Sequence, residues 1–223
     1  MGKTNQLNRR KFFCSMSAFP LVGASFSAVQ YSGAPAGRNE QTGEKENEPR
    51  KSPAFIDARS KKVMFVAHCI LNQNARINQC AYTPSAIEPV VQCLLRRHIG
   101  IVQLPCPETE LLGLGRGEGA EIYDQLSAPE KRQHLEVFAQ KVLALVRDYR
   151  DYGFQVLGVL GIDGSPCCGV DLMYYQGERP GTGAFMEELI AVLEKESPAV
   201  PVRGIKDAEP EAAVALIGQL DRD

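Results

Sequence analysis

Val63-Met64-Phe65-Val66-Ala67-His68-Cys69 is an unbroken apolar run that stops at a histidine and a cysteine. A run this short and continuous reads as a strand buried on both faces, the kind that parallel sheets contain. Downstream, Pro84 opens a segment in which Ile87, Val90, Val91, Leu94 and Leu95 recur at helical spacing. Gly100 closes it, and Ile101-Val102-Gln103-Leu104 reads as a second strand. Ser127, with Glu130 three residues on, predicts a capping box for a long helix. Leu135, Phe138, Val142, Leu145, Val146 and Tyr149 line one face of that helix, and Gly153 ends it. Phe154 to Ile162 is a third strand, apolar on both faces. A helix follows from about Gly183 to Glu196, with Phe185, Leu189, Val192 and Leu193 as its stripe. Val200 to Gly204 is a short strand whose Pro201 points to an edge position, and a last helix spans Glu209 to Leu220. Alternating strands and helices predict an α/β fold: three layers, a mainly parallel sheet, Rossmann-like. There is no internal repeat.

The 223 residues are 44% hydrophobic and 23% charged, with a formal net charge of -2, an ordinary globular composition. A balance so near neutral gives no reason to expect nucleic acid as a partner. No apolar run reaches the roughly 18–20 residues of a membrane-spanning helix. The start of the chain is different. Asn8-Arg9-Arg10-Lys11-Phe12-Phe13 sets two arginines before an apolar stretch from Phe12 to Ala28, and no acidic residue precedes Glu40. With the small residues Ala34-Pro35-Ala36 beyond, residues 1–36 read as a signal peptide of the twin-arginine type. The competing reading is a basic amphipathic N-terminus. Cys14 lies at the start of the apolar core, where a lipoprotein cysteine does not belong. Residues 37–60 turn to Glu, Lys, Asn, Gly, Pro and Ser and read as a disordered linker, leaving 61–223 as one domain. The expectation is an exported protein, periplasmic or extracellular. It would be handled by the twin-arginine export machinery, with no stable membrane insertion after processing.

Cysteines fall where such a fold places its chemistry. Ligands of open α/β sheets bind outside the carboxyl ends of the strands. Cys69 follows the first strand in His68-Cys69-Ile70-Leu71-Asn72-Gln73-Asn74, and Cys106 follows the second in Gln103-Leu104-Pro105-Cys106-Pro107-Glu108. Cys167 and Cys168 follow the third in Gly164-Ser165-Pro166-Cys167-Cys168-Gly169. Any one of these alone is an ordinary small buried hydrophobe. Thiols at three successive strand ends make a convergent set. Cys93, inside the first helix, and Cys80, in a polar loop, fit the plain packing role. An oxidising compartment would permit disulfides, but a domain of this size does not need them, and a bridge between adjacent Cys167 and Cys168 would be strained.

Cys-Ile-Leu after strand one, Cys-Pro-Glu after strand two and Ser-Pro-Cys-Cys-Gly after strand three resemble the thiouracil desulfidase family. The likeness is closer to a less characterised branch with His-Cys-Leu-Leu-Asn-Gln-Asn and Gln-Leu-Pro-Cys-Pro-Glu. It covers roughly Val63 to Val170. The resemblance implies a [4Fe-4S] cluster on Cys69, Cys106 and Cys168 with one open iron, and removal of sulfur from a small thiolated substrate. It implies that the family's catalytic glutamate and serine are Glu108 and Ser165. Soft thiolates suit an iron–sulfur cluster, and three of them leave one iron free to act as a Lewis acid. Glu108 then has the place to activate water, and Ser165 to position substrate or relay a proton. The plainer roles are a solvated or helix-capping carboxylate for Glu108 and a turn hydroxyl for Ser165.

Two departures leave alternatives open. Asn72 stands where desulfidases of known activity carry glycine, and Cys167 stands where they carry serine, so Cys167 is a candidate substitute or fourth ligand. Four thiols would close the site and favour a non-enzymatic electron-transfer or sensor protein. A zinc-dependent hydrolase with Glu108 as base is a third reading. The run Leu112-Gly113-Leu114-Gly115-Arg116-Gly117-Glu118-Gly119 lacks the strand-to-helix context of a dinucleotide fingerprint. It reads either as a lid whose Arg116 pairs an anionic group or as a plain surface loop. His68 adjoins a proposed ligand; His98 and His134 read as bystanders on helices.

Overall fold

The computed structural model describes residues 57–117 and 119–222. The signal-like segment 1–36, its arginine pair and nearly all of the expected linker lie outside the described residues. In chain order come β1 (Lys62–Val66), the single-turn α1 (His68–Leu71), a 3-10 turn (Gln73–Ala75), α2 (Glu88–Arg96) and β2 (Gly100–Gln103). A π-helical turn (Glu108–Leu112), α3 (Gly119–Ser127) and α4 (Pro129–Asp151) lead to β3 (Gln155–Ile162). Then follow β4 (Leu172–Tyr174), β5 (Glu178–Pro180), α5 (Ala184–Glu196), β6 (Val202–Ile205) and α6 (Pro210–Leu220).

The main sheet has the order β2-β1-β3-β6, and every pairing in it is parallel. Helix α2 packs against α6, while α4 packs against α5 and α3, so helices flank the sheet in a three-layer, Rossmann-like arrangement. The central strands explain the sequence pattern. Met64, Phe65 and Val66 of β1 and Val159, Leu160 and Ile162 of β3 are wholly buried, because helices cover both faces. The short strand β6 stands at the edge, and Pro201 just before it leaves no ladder amide unmade. Gly153 takes φ 76°, and the amide of Phe154 reaches back to the Tyr149 carbonyl at 2.9 Å, which closes α4 as a Schellman turn.

Several local expectations are corrected. Ser127 does not cap the long helix; it is the last residue of α3, and α4 begins behind Ala128 with Pro129 in its first turn. Proline already lacks the amide that a cap would satisfy. The buried stripe of α4 runs through Leu135, Ala139, Val142, Leu143 and Val146, whereas Leu145 is exposed. His98 lies beyond α2 in a left-handed turn with φ 56°. The hairpin β4–β5, antiparallel and separate from the main sheet, and helix α3 were not expected from the sequence.

Candidate functional site

Chain order and strand order together define one crevice. From β1 the chain moves outward to β2, then returns across β1 to β3 and continues outward to β6. The reversal falls between β1 and β3, and ligands of open α/β sheets bind beside the carboxyl ends at such a switch point. Cys69 and Cys168 follow those two strands, and Cys106 follows β2 on the same rim.

Each thiol is set by a different local device. Cys69 lies in α1, directly after β1, where the Ala67 amide still pairs with the Leu160 carbonyl of β3 at 2.8 Å. Gln73, 1% exposed, donates to the Cys69 carbonyl at 2.9 Å and accepts from the Tyr82 amide at 3.0 Å. It thereby ties the loop at Tyr82 to the turn that carries Cys69. Asn72 has φ -144°, an extended backbone open to any residue, and its Oδ1 caps the 3-10 turn by accepting from the Asn74 amide at 3.2 Å. The departure from glycine therefore costs no strain and supplies a cap. Cys106 lies two residues before the π-helical turn: its carbonyl accepts from the Glu110 amide at 3.0 Å and from the Thr109 hydroxyl at 3.1 Å.

The third loop is the most tightly built. Asp163 Oδ1 accepts from the amides of Val170, Asp171 and Leu172 at 3.0, 3.0 and 3.3 Å. Ser165 Oγ accepts from those of Cys167 and Cys168 at 3.2 and 3.0 Å. The N-terminus of α5 donates from Ala184 and Phe185 to the carbonyls of Pro166 and Cys167. A Cβ on Gly169 would run into the Leu172 and Ser165 carbonyls, so the turn has room only for glycine. All six described cysteines are free thiols.

Electrostatics tie the three loops together. The Cys69 thiol is pushed far up by burial first and then by the charges of Cys168, Glu108 and Cys106. Cys106 is pushed up by burial, then by Cys168, against hydrogen bonds from Thr109 that lower it. Cys168 is pushed well up by its hydrogen bond to Cys167 and by burial. Every pair among Cys69, Cys106 and Cys168 is thus within electrostatic reach. Cys167, wholly buried, is pushed up by burial and lies beside Cys168, Glu108 and Cys106.

Glu108 and Ser165, paired here only through their expected roles, meet in space: Ser165 Oγ donates to Glu108 Oε1 at 3.4 Å, a long bond. Glu108 Oε2 accepts from Arg116 Nε at 2.7 Å in a pair nearly shut off from water. Arg116 is therefore an internal partner of the site's own carboxylate, while Leu114, Gly115 and Gly117 of the same segment are exposed. Two further residues escaped the sequence reading. Arg76 pairs with Asp207 at 2.6 Å, and its charge lowers the Cys69 and Cys168 thiols. Asp207 stands two residues past β6, the same kind of strand-end position that marks the cysteines. His68 places Nε2 3.5 Å from the Asn72 amide of its own turn.

Among the described residues no three His, Cys, Asp or Glu side chains are grouped for a single metal ion. None of the described helices is long and apolar enough to cross a membrane. A recess of about 840 Å³ opens at the other end of the sheet, by Lys62, His98, Gly100 and Phe154, away from the thiols. The chain is 30% identical over 138 residues to the uncharacterized protein MJ0003 of Methanocaldococcus jannaschii. The match spans 61% of this chain and 81% of that protein. No family model and no solved structure matches.

Proposed function

The chain belongs to one family with protein MJ0003, and from the groups at its rim we propose that it is an iron–sulfur desulfidase. The observation that carries this reading is the convergence of Cys69, Cys106 and Cys168 from three strand ends upon Glu108 and Ser165. The donor set fits the group: three soft thiols at neighbouring strand ends, with the Arg76 charge lowering two of them. Held there, a [4Fe-4S] cluster with three protein ligands would offer one Lewis-acidic iron to a thiocarbonyl sulfur.

The protein's own groups would do the rest. A thiocarbonyl and water give a carbonyl and hydrogen sulfide, with no net change of oxidation state. Glu108 Oε2 is taken by Arg116 and Oε1 only by the long bond from Ser165, so Oε1 is the oxygen better placed to receive a proton from the attacking water. Both lone pairs of Ser165 Oγ are occupied by amides, so its hydrogen points toward Glu108 and its polarity in any proton relay is fixed. The burial of Cys168 and Ser165 keeps bulk water from the inner side of the site. The substrate would be a small thiolated compound such as a thiopyrimidine. The arginine pair at the N-terminus supports a periplasmic or extracellular site of action.

A second reading rests on the buried contact between Cys167 and Cys168, which would suit a closed four-thiol site and electron transfer. One experiment separates the two. The full chain is purified anaerobically, iron and acid-labile sulfide are quantified, and sulfide release from 2-thiouracil is followed. About four irons per chain with sulfide release supports desulfidation. A full cluster with no release from any thiolated pyrimidine favours electron transfer, and a protein without iron defeats both.

A further inference from the structure

Arg116 makes three contacts, two to the ends of one turn and one to a distant stretch of chain. Its Nε donates to Glu108 Oε2 at 2.7 Å, one terminal nitrogen donates to the Gly113 carbonyl at 3.1 Å, and the other donates to the Ala75 carbonyl at 2.6 Å. Ala75 closes the 3-10 turn that follows Cys69, and Glu108 opens the π-helical turn that follows Cys106. Glu108 in turn accepts from Ser165, whose Oγ holds the amides of Cys167 and Cys168. A single polar string therefore touches all three loops that carry the site's thiols.

The string is internal. The Arg116 side chain is 3% exposed and that of Glu108 12%. Taking a guanidinium and a carboxylate out of water is costly, and an apolar pair of like volume would often serve the fold as well. What an apolar pair lacks is direction. A guanidinium presents donors in a rigid planar fork, so three acceptors on two segments, the turn after Cys69 and the turn after Cys106, fix its plane and are fixed by it. The glycine-rich segment makes this reach possible: Gly113 takes φ 81°, and its turn brings Arg116 back beneath the loop while Leu114 stays exposed at the tip.

We propose that Arg116 is a positioning residue that sets the mutual spacing of the three thiol-bearing loops and turns Glu108 Oε1 toward the thiols. The second half rests on the desulfidase reading, because only there does Oε1 have work to do. The first half does not. Lysine cannot substitute, because one ammonium at the end of a flexible stem cannot span the same three acceptors.

The test uses the full chain in cluster-free form, pulse-alkylated with iodoacetamide and mapped by peptide mass spectrometry. Cys93, buried in α2, serves as the internal reference. Arg116→Lys should speed alkylation of Cys69 and Cys106 by about tenfold or more, the scale of a lost charge-assisted hydrogen bond, while Cys93 stays unchanged. Arg116→Ala should show the same, and millimolar guanidinium, but not sodium or ammonium, should slow both thiols again. Wild-type rates in the lysine variant would overturn the proposal. Equal acceleration of Cys93 in that variant would also overturn it, because Arg116 would then support the fold at large. With loaded protein and 2-thiouracil, Arg116→Lys should lower kcat more than it raises KM. Selective thiol exposure in a protein that releases no sulfide would uphold the spacing role and defeat the desulfidase reading instead.

Discussion

Ser165→Ala removes the one side-chain oxygen that accepts from the Cys167 and Cys168 amides. Cys167 is wholly buried and Cys168 is 6% exposed, so water does not readily take the place of that oxygen. A capping serine changed to alanine costs about 1 kcal/mol where solvent can step in. Stranding buried donors adds about 1–3 kcal/mol. The variant should therefore lose about 2–4 kcal/mol, which for a fold of this size lowers the melting temperature by roughly 5–15 °C. Differential scanning calorimetry on the cluster-free full chain at pH 7 measures this, and hydrogen exchange shows where it acts. Exchange at the Cys167 and Cys168 amides should quicken, while the Arg116 contacts to Glu108 and Ala75 persist. Ser165→Thr keeps the oxygen and should melt near the wild type. A shift in Ser165→Ala below about 2 °C, with exchange unaltered, would refute the assignment of this oxygen as the keystone of the third loop.

Cys168→Ser should abolish iron binding while Cys167→Ser retains it, since Cys168 is the thiol felt at both Cys69 and Cys106; equal iron loss in both would point to a four-thiol site. Glu108→Gln keeps the shape and should leave the cluster's absorbance in place while sulfide release from 2-thiouracil falls by about 10²–10⁴-fold; an undiminished rate removes Glu108 from the reaction. The pH dependence of stability follows from the raised thiols. Folded Cys69, Cys106 and Cys168 keep their protons above the ordinary value of 9.0, where the unfolded chain releases them. The folded state then binds more protons, so the cluster-free protein should lose stability as pH rises past about 9, with a shallower slope in Cys69→Ser. Thermal melts from pH 7 to 10.5 check the sign.

The sheet was legible because strands buried on both faces leave continuous apolar runs, and Val63–Ala67 and Val156–Ile162 are such runs. The thiol positions were legible for a related reason: a strand end marks the rim, and cysteines three to six residues beyond it share that rim. What stayed hidden lacks periodicity. Strands β4 and β5 have three residues each, and Glu178, Arg179 and Pro180 are exposed, so no apolar alternation announces them. Helix α3 opens at Gly119 beside a glycine-rich run that masks its start. Arg116 reads from sequence either as a lid residue pairing an anionic group or as part of a plain surface loop, because nothing local reveals that one of its acceptors is Ala75, 41 residues earlier. Asp207 was within reach of the strand-end rule but followed a strand judged short and peripheral.

The thiols come from loops after β1, β2 and β3, so they approach one another only once three separate strands have paired. A motif with ligands a few residues apart can gather metal on a nascent chain. Here the loop-closure cost of bringing Cys69 to Cys168 is met by the sheet itself. If the three thiols hold the proposed cluster, events would have a fixed sequence in time: backbone pairing first, cofactor insertion second. A chain that crossed a membrane unfolded would arrive without its inorganic cargo and would have to find iron and sulfide on the far side. On the proposed reading, the parallel sheet would set a chronology for maturation as well as an address for the chemistry.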